Sequence, residues 1–311
     1  MTNVAPSSRF VLTGPSGWIG QAMLDALARE RGGRLEGHVT AFASRARVMD
    51  LPWGERLEIR PLETITPDDV AGAHIIHLAY LTKEKADQLG ESAFTTVNRA
   101  IDDALLAAVG SAAPASLFVA SSGAAALAEH GTDLHPYGLA KLRQEARFLE
   151  WAAVLGVPTI AGRIFNLAGP YINKLRSYAI SDFALQARED GEIRIQASVP
   201  VFRSYLHVED LCTLVIGAAQ QGIGRPTPID LCGAEVVEMA DIAALVAEAS
   251  YGSPPICRGP VDFSRPSLYL GNPTHTKVLA MELGISLRPL SVQIVDTVAW
   301  LRHFAVRVTK N

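Results

Sequence analysis

The sequence has few cysteines, no long apolar run and no marked excess of charge. Its three cysteines, Cys212, Cys232 and Cys257, are widely spaced, which excludes a disulfide framework and favours a reducing, cytoplasmic compartment. No apolar run is long enough to cross a bilayer, and the polar first ten residues predict no secretory signal, so we expect no membrane partner. With a net charge of −4 and dispersed basic residues, nucleic-acid binding is not expected either. No metal site is predicted.

What is present is the composition of a folded α/β protein. The chain has 311 residues, enough to bury one large core or two smaller ones. Short apolar runs alternate with amphipathic segments through the first half, which is typical of βαβ units on a parallel sheet. The sequence therefore predicts an α/β fold, a doubly wound parallel sheet with a smaller C-terminal lobe.

The pattern of elements changes after Asn166. Before it, strands are predicted near 9–13, 38–43, 57–60, 74–79, 116–121 and 158–165, and helices near 18–30, 67–71, 92–109 and 137–155. Beyond it, strands are predicted at 192–196 and 228–232, and helices around 177–190, 238–250, 275–282 and 291–305. We expect a larger domain over 1–166 plus about 205–250, and a smaller lobe over 167–204 and 251–311.

The first βα turn is the most informative stretch. An apolar strand ends at Thr13, and three glycines follow at three-residue spacing as a helix begins. Glycines at such a turn let backbone approach a ligand, and the free N–H groups of the following helix attract a pyrophosphate. The turn therefore predicts a dinucleotide site. With it, the expected sheet is of the Rossmann type, and the domain over 1–166 plus about 205–250 is the predicted dinucleotide-binding domain. Its predicted cofactor-binding residues are Gly14, Ser16, Gly17, Trp18, Ile19 and Gly20.

A tyrosine and a lysine share one face of a predicted helix. Tyr137 and Lys141 are four residues apart, and an ammonium close to a phenol lowers the phenol pKa enough for proton transfer. Ser122 follows an apolar strand, and the carboxyl ends of sheet strands form the ligand edge. These three residues predict a catalytic site.

With three further segments, these motifs resemble the extended short-chain dehydrogenase/reductases, also called NAD-dependent epimerase/dehydratases. The segments are His77-Leu78-Ala79, Val97-Asn98 and Arg163-Ile-Phe-Asn-Leu-Ala-Gly-Pro170. The resemblance implies that Ser122, Tyr137 and Lys141 form the catalytic triad and that Lys141 also holds the nicotinamide ribose. It further implies that Leu78, Ala79 and Asn98 lie at the cofactor, and that the smaller C-terminal lobe over 167–204 and 251–311 is a substrate-binding lobe.

Two arginines indicate the substrate. Arg203 opens a segment, Arg203-Ser-Tyr-Leu-His-Val-Glu-Asp210, that is similar to one in nucleotide-sugar epimerases, where the arginine contacts the substrate pyrophosphate. Arg265 lies where the family carries a second such arginine, although the usual acidic partner is absent. Guanidinium suits phosphate because its fixed fork makes two parallel hydrogen bonds. Asn166 is expected to bind substrate as well.

The end of the second strand bears on the choice of cofactor, NADP or NAD. NAD-selective members present an acidic residue there to the ribose 2′-hydroxyl. This chain has Ser44 and Arg45 instead, which favours NADP because a 2′-phosphate would meet a cation rather than a carboxylate.

The predicted function is hydride transfer at a carbon of a nucleotide-linked sugar, by a 4-ketoreductase or a 4-epimerase. Dehydration at C4 and C6 is not expected, because Gly123-Ala124 replaces the Asp-Glu pair of those enzymes. Two alternatives remain: an NADPH-dependent reductase of a non-nucleotide carbonyl compound, and a non-catalytic NADP(H)-binding module. Helices 92–109 and 137–155 are rich in Ala and Leu, and the resemblance implies that the equivalent pair forms a dimer interface, so we expect a homodimer. A more deeply buried helix pair would have the same composition.

Overall fold

The computed structural model describes residues 8–308, with side chains described through residue 303. These residues form two compact units. The first contains the chain up to Ile164 together with Cys212–Ile229, and the second contains Phe165–Leu211 and the chain from Asp230 onward. The binding roles predicted for the two domains remain predictions.

The first unit is built on a mostly parallel sheet. Its strands are β1 (Phe10–Thr13), β2 (Val39–Ala43), β3 (Arg47–Asp50), β4 (Arg56–Pro61), β5 (His74–His77), β6 (Ser116–Ser122) and β7 (Thr159–Ile164). Within this unit the spatial order is β7-β6-β5-β1-β2-β4-β3, and only the β3–β4 pair is antiparallel. The sheet confirms the predicted α/β class with a Rossmann-type core.

Helices connect these strands and bury their apolar faces on the sheet. They are α1 (Trp18–Glu30), α2 (Pro67–Val70), α3 (Lys83–Leu89), α4 (Glu91–Ser111), α5 (Gly123–Glu129) and α6 (Pro136–Leu155). Leu105 of α4 and Phe148 of α6 pack with Val11, Ile75 and Val119 of the central strands. The central strands are buried along their length, which explains why they appear in the sequence as continuous apolar runs. This core fixes α4 and α6 beside each other.

The second unit carries smaller sheets and a helical layer. Its strands are β8 (Asn166–Ala168), β9 (Ile193–Ile195), β10 (Val201–Arg203), β11 (Tyr205–His207), β12 (Ile229–Leu231), β13 (Val237–Glu238), β14 (Ile256–Arg258) and β15 (Ser267–Tyr269). Its helices are α7 (Ala179–Glu189), α8 (Val208–Gln220), which continues into the first unit, α9 (Met239–Ala249), α10 (Pro273–Leu283) and α11 (Leu290–Val308). In its three-stranded sheet, β10 lies between β13 and β15. Within the described part of the chain, no helix is both long and apolar enough to span a membrane.

Candidate functional site

The glycine-rich turn after β1 depends on close backbone packing. Gly14 has a φ of +73°, and a Cβ there would lie 3.0 Å from the backbone nitrogen of Ala79. A Cβ on Gly20 would lie 2.3 Å from the carbonyl oxygen of Gly14, which is far inside contact distance. Both positions therefore require glycine. Ser16 and Gly17 are exposed on the turn, whereas Trp18 is buried at the start of α1 and Ile19 is half-buried.

The start of α1 leaves room for an anion. Gly17 is the N-cap of this helix, and no side chain caps its first turn. No acidic residue occupies that turn. The N–H groups at a helix start carry partial positive charge and attract a phosphate. The turn thus has the shape and the electrostatics of a dinucleotide cradle.

The loop after β5 is fixed at both ends. The backbone N–H groups of Leu78 and Ala79 donate to Thr13 Oγ1 at 3.1 and 3.0 Å. Two residues after Ala79, the Leu81 N–H donates to Asn98 Oδ1 at 2.8 Å. The structure therefore places three predicted cofactor residues, Leu78, Ala79 and Asn98, around one short loop beside the glycine-rich turn.

Ser44 and Arg45 follow the carboxyl end of β2. That strand pairs with β1 in parallel, with Phe42 opposite Thr13. Both Ser44 and Arg45 are exposed in the bend that follows. They lie at the same edge of the sheet as the glycine-rich turn, because parallel neighbours end at the same edge.

Lys141 is buried, and its ammonium group contacts polar and aromatic groups of the protein interior. Its Nζ donates to the carbonyl oxygen of Ala120 at 2.7 Å and to Gln144 Oε1 at 2.8 Å. It also lies 3.5 Å from the centroid of the Tyr80 ring, a cation–π contact. Burial lowers the pKa of Lys141 to about 7, against the opposing effect of the Asp102 and Glu145 carboxylates. This lysine can therefore change its protonation state near neutral pH.

Tyr137 begins α6 among aromatic rings. Its ring lies 6.4 Å from that of Tyr80 and 6.4 Å from that of Phe94, centroid to centroid. Tyr80 thus touches both members of the predicted Tyr137–Lys141 pair, which lie one helical turn apart on α6. The surrounding rings restrain the position of the Tyr137 phenol.

Ser122 ends β6 and caps the next helix. Its Oγ accepts a hydrogen bond from the Ala124 N–H at 3.2 Å. A Cβ on Gly138 would lie 2.5 Å from the carbonyl oxygen of Ala124, so α5 and the first turn of α6 are in direct backbone contact. The structure therefore brings the segment that carries Ser122 against the one that carries Tyr137.

The neighbouring Ser121 has a different environment. Its side chain is buried and donates to Glu145 Oε1, and Arg163 Nε donates to the same oxygen at 2.9 Å. Arg163 also donates to Glu145 Oε2 at 2.7 Å and to Glu129 Oε2 at 2.6 Å. Successive strand residues point to opposite faces, which separates the two adjacent hydroxyls. Ser121 thus belongs to a structural ion-pair network.

Arg203 in the second unit is held by neutral partners. Its Nη1 donates to the carbonyl oxygens of Phe202 and Ser267 at 2.8 and 3.1 Å, and its Nη2 donates to Ser267 Oγ at 3.3 Å. Its guanidinium carbon lies 5.9 Å from the centroid of the Tyr269 ring. Burial lowers the pKa of Arg203. A half-buried cation whose acceptors are all neutral retains the capacity to bind an anion.

The other two predicted substrate residues differ in environment. Asn166 opens β8, and its Nδ2 donates to the carbonyl oxygen of Ser204 at 3.3 Å. Arg265 is exposed in the turn before β15. The structure thus places Asn166 next to the Arg203 segment and leaves Arg265 at the surface.

Two polar residues next to Lys141 were not predicted from the sequence motifs. Gln144 and Asp102 are both buried, and Gln144 Nε2 donates to Asp102 Oδ1 at 2.6 Å. Gln144 lies three residues after Lys141, and Asp102 lies four residues after Asn98, which are the spacings that share a helix face. These spacings could be seen in the sequence. That Gln144 and Asp102 contact each other follows only from the packing of α4 on α6.

The model of the NAD dependent epimerase/dehydratase family matches residues 10–230. The chain belongs to this family. The match confirms the resemblance seen in the motifs and establishes that members of the chain's family are NAD-dependent enzymes. No curated protein matches the chain by sequence.

Solved structures resemble the whole chain of this family member. The Bordetella bronchiseptica enzyme WbmF, solved with NAD⁺, has a TM-score of 0.74 at 17% identity, covering 98% of this chain and 95% of its own. The UDP-N-acetylglucosamine 4-epimerase of Methanobrevibacter ruminantium M1, solved with UDP-N-acetylmuramic acid, has a TM-score of 0.73 at 16% identity, covering 96% and 100%. MoeE5, solved with UDP-glucose and NAD, has a TM-score of 0.69 at 21% identity, covering 96% and 100%. At these identities the likeness establishes the fold.

The described residues fit the dinucleotide on which the family depends. Side chains at Gly14 and Gly20 would collide with neighbouring backbone, so the turn is tight and can bring its backbone close to a ligand. The N-terminus of α1, which no side chain caps, can receive the pyrophosphate. Leu78 and Ala79 border the turn. These residues would hold the cofactor.

Proposed function

We propose that this protein transfers hydride at a carbon of a nucleotide-linked sugar, as a 4-epimerase or a 4-ketoreductase. The observation that carries the substrate class is Arg203, a half-buried guanidinium with only neutral hydrogen-bond acceptors around it. A diphosphate would supply the opposite charge in the bidentate geometry that guanidinium favours. Asn166 and Arg265 are proposed as further substrate contacts.

The first unit would carry the chemistry. Tyr137 would donate or accept the proton of the sugar oxygen, and Ser122 would hydrogen-bond that oxygen. Lys141, protonated, would favour the phenolate form of Tyr137 through its positive charge. The bound dinucleotide would supply the nicotinamide that accepts or donates hydride.

Replacing Arg203 tests the substrate class. Arg203→Leu should raise the KM for a UDP-sugar by about 10- to 100-fold, because a charge-assisted hydrogen bond to phosphate is lost, while kcat changes little. The measurement is steady-state turnover at saturating cofactor. The matched control is Arg194→Leu, since Arg194 is an exposed arginine of β9 whose guanidinium is paired with Glu192. An unchanged KM in Arg203→Leu would instead favour a carbonyl substrate without phosphate.

The cofactor separates the two reactions. An epimerase returns its hydride and can keep one NAD, whereas a reductase exchanges NAD(P)H at each turnover. Mass spectrometry of nicotinamide released from freshly purified, denatured protein should therefore show stoichiometric NAD for an epimerase. An empty protein that binds NADPH more tightly than NADH would support a reductase and the proposed NADP preference of Ser44 and Arg45.

The homodimer through α4 and α6 remains a prediction. The exposed side chains of these two helices include charged ones, Arg99, Asp103, Arg143 and Glu150. Val97 of α4 and Val154 of α6 are exposed apolar residues on the same two helices. A copy of this chain covering them is the proposed partner.

A further inference from the structure

A continuous chain of buried polar groups runs from the glycine-rich turn to Lys141. Thr13 Oγ1 accepts from two backbone N–H groups, so its own proton is directed at His77 Nδ1, 2.8 Å away. His77 Nε2 then donates to Asp102 Oδ1 at 3.2 Å. Gln144 joins Asp102 to Lys141 through hydrogen bonds of 2.6 and 2.8 Å. All members of this polar chain, Thr13, His77, Asp102, Gln144 and Lys141, are buried.

The direction of each hydrogen bond follows from Asp102. A carboxylate only accepts, so Gln144 must present its amide nitrogen to Asp102 and its carbonyl oxygen to Lys141. That oxygen stabilises the protonated lysine, because hydrogen bonds from a cation are stronger than those from a neutral amine. Asp102 thereby fixes which end of Gln144 the lysine meets.

We infer that Gln144, oriented by Asp102, is a positioning residue that keeps Lys141 protonated and in place behind Tyr137. The inference rests on the proposed function insofar as Lys141 assists Tyr137. The arrangement at Lys141 itself can be tested without substrate. Neither Gln144 nor Asp102 would touch the substrate, since both act through the lysine.

Several charged and titratable groups surround Lys141 and Gln144 or the residues that contact them. They are Asp102 and His77 from the polar chain, Tyr80 from the loop after β5, and Tyr137, Arg143, Glu145 and Arg147 from α6 itself. Asp102 and Glu145 favour the protonated lysine, whereas burial opposes it. The hydrogen bond from Lys141 to the Gln144 oxygen also favours the protonated lysine. Removing it should therefore lower the pH at which Lys141 loses its proton.

The direct test is the titration of Lys141 by NMR. The chain has six lysines, so ¹³C-lysine labelling gives few signals, and Lys141→Arg assigns the one of interest. Gln144→Met keeps the side-chain length and removes both polar atoms. We expect the Lys141 midpoint to fall by about one pH unit or more, because a hydrogen bond to a charged group is lost. Gln220→Met, on the exposed end of α8, is the matched control and should leave the midpoint unchanged.

If Gln144→Met does not fold, a variant in which the amide and the carboxylate change places between positions 144 and 102 still tests the inference. In the double variant Gln144→Glu with Asp102→Asn, the asparagine removes the carboxylate that would otherwise face the glutamate, so the glutamate can stay ionised. The glutamate then faces Lys141 with a full charge, so the midpoint should rise above that of the wild type. A midpoint at or below the wild-type value in this variant, or an unchanged midpoint in Gln144→Met, would overturn the inference.

Turnover gives the functional readout. With a UDP-sugar, Gln144→Met should lower kcat at least about tenfold with KM within about twofold, and the pH above which kcat declines should move down with the Lys141 midpoint. A purely structural lesion would reduce the active fraction without moving that pH. A wild-type protein with no turnover on any UDP-sugar would count against the proposed function, while the titration would still decide the role of Gln144.

Discussion

Tyr137→Phe is expected to lower turnover about a thousandfold, because it removes the group proposed to transfer the proton of the sugar oxygen. The ring itself stays, so its packing against Tyr80 and Phe94 should persist. Thermal unfolding and dinucleotide affinity should therefore remain close to the wild-type values. The loss should appear in kcat, measured by the change in nicotinamide absorbance in a single turnover or by product analysis.

The control for this variant is Tyr251→Phe. Tyr251 is 92% exposed in the second unit, and the same loss of a hydroxyl there should leave kcat unchanged. If Tyr137→Phe kept kcat within about fivefold of the wild type, proton transfer by Tyr137 would be excluded, since general acid–base catalysis contributes far more than that. A protein that only binds the dinucleotide would keep its ligand affinity in Tyr137→Phe, but neither its wild type nor this variant would show turnover.

Glu145→Ala is expected to destabilise the first unit by about 3–5 kcal/mol, which is the cost of breaking a buried ion pair by removing one partner. Glu145 is 1% exposed and accepts two hydrogen bonds from Arg163 and one from Ser121. Its loss leaves the buried guanidinium with Glu129 alone. Urea denaturation followed by far-UV circular dichroism measures the change in the free energy of unfolding.

Two further variants complete the Glu145 experiment. Glu150→Ala changes an exposed glutamate on the same helix and should shift the free energy of unfolding by no more than about 0.5 kcal/mol. The double variant Glu145→Leu with Arg163→Met removes both charges and should be more stable than Glu145→Ala. A loss below about 1 kcal/mol in Glu145→Ala would show that Arg163 does not depend on this partner.

Local patterns in the sequence predicted most of the central sheet and the glycine-rich turn. The turn was predictable because its strand, glycines and helix are adjacent in the chain, and the central strands because they are buried on both faces. The exposed edge strand β3 was not predicted, since Arg47–Asp50 mixes polar and apolar residues without alternation. The short helices α3 and α5 and the helix α8 were also missed.

The surroundings of Lys141 could not be predicted in the same way. Its contact with Gln144 is local, but the orientation of Gln144 depends on Asp102, 42 residues earlier in the chain. The Tyr80 ring over Nζ depends on how the loop after β5 folds back. The spacing of residues along one helix shows which of them share a face. Which other residues that face contacts depends on tertiary packing.

The opposite environments of Ser121 and Ser122 have a consequence for genetic screens. Under the proposed function, variants at either position should lose activity and would look alike when scored by growth alone. The Ser121 variants should do so because less folded protein accumulates, since the buried Glu145–Arg163 pair loses a donor. The Ser122 variants should leave the cellular amount of protein near normal and lower the activity of each molecule. Measuring abundance and activity side by side would therefore sort two adjacent serines into two kinds of defect.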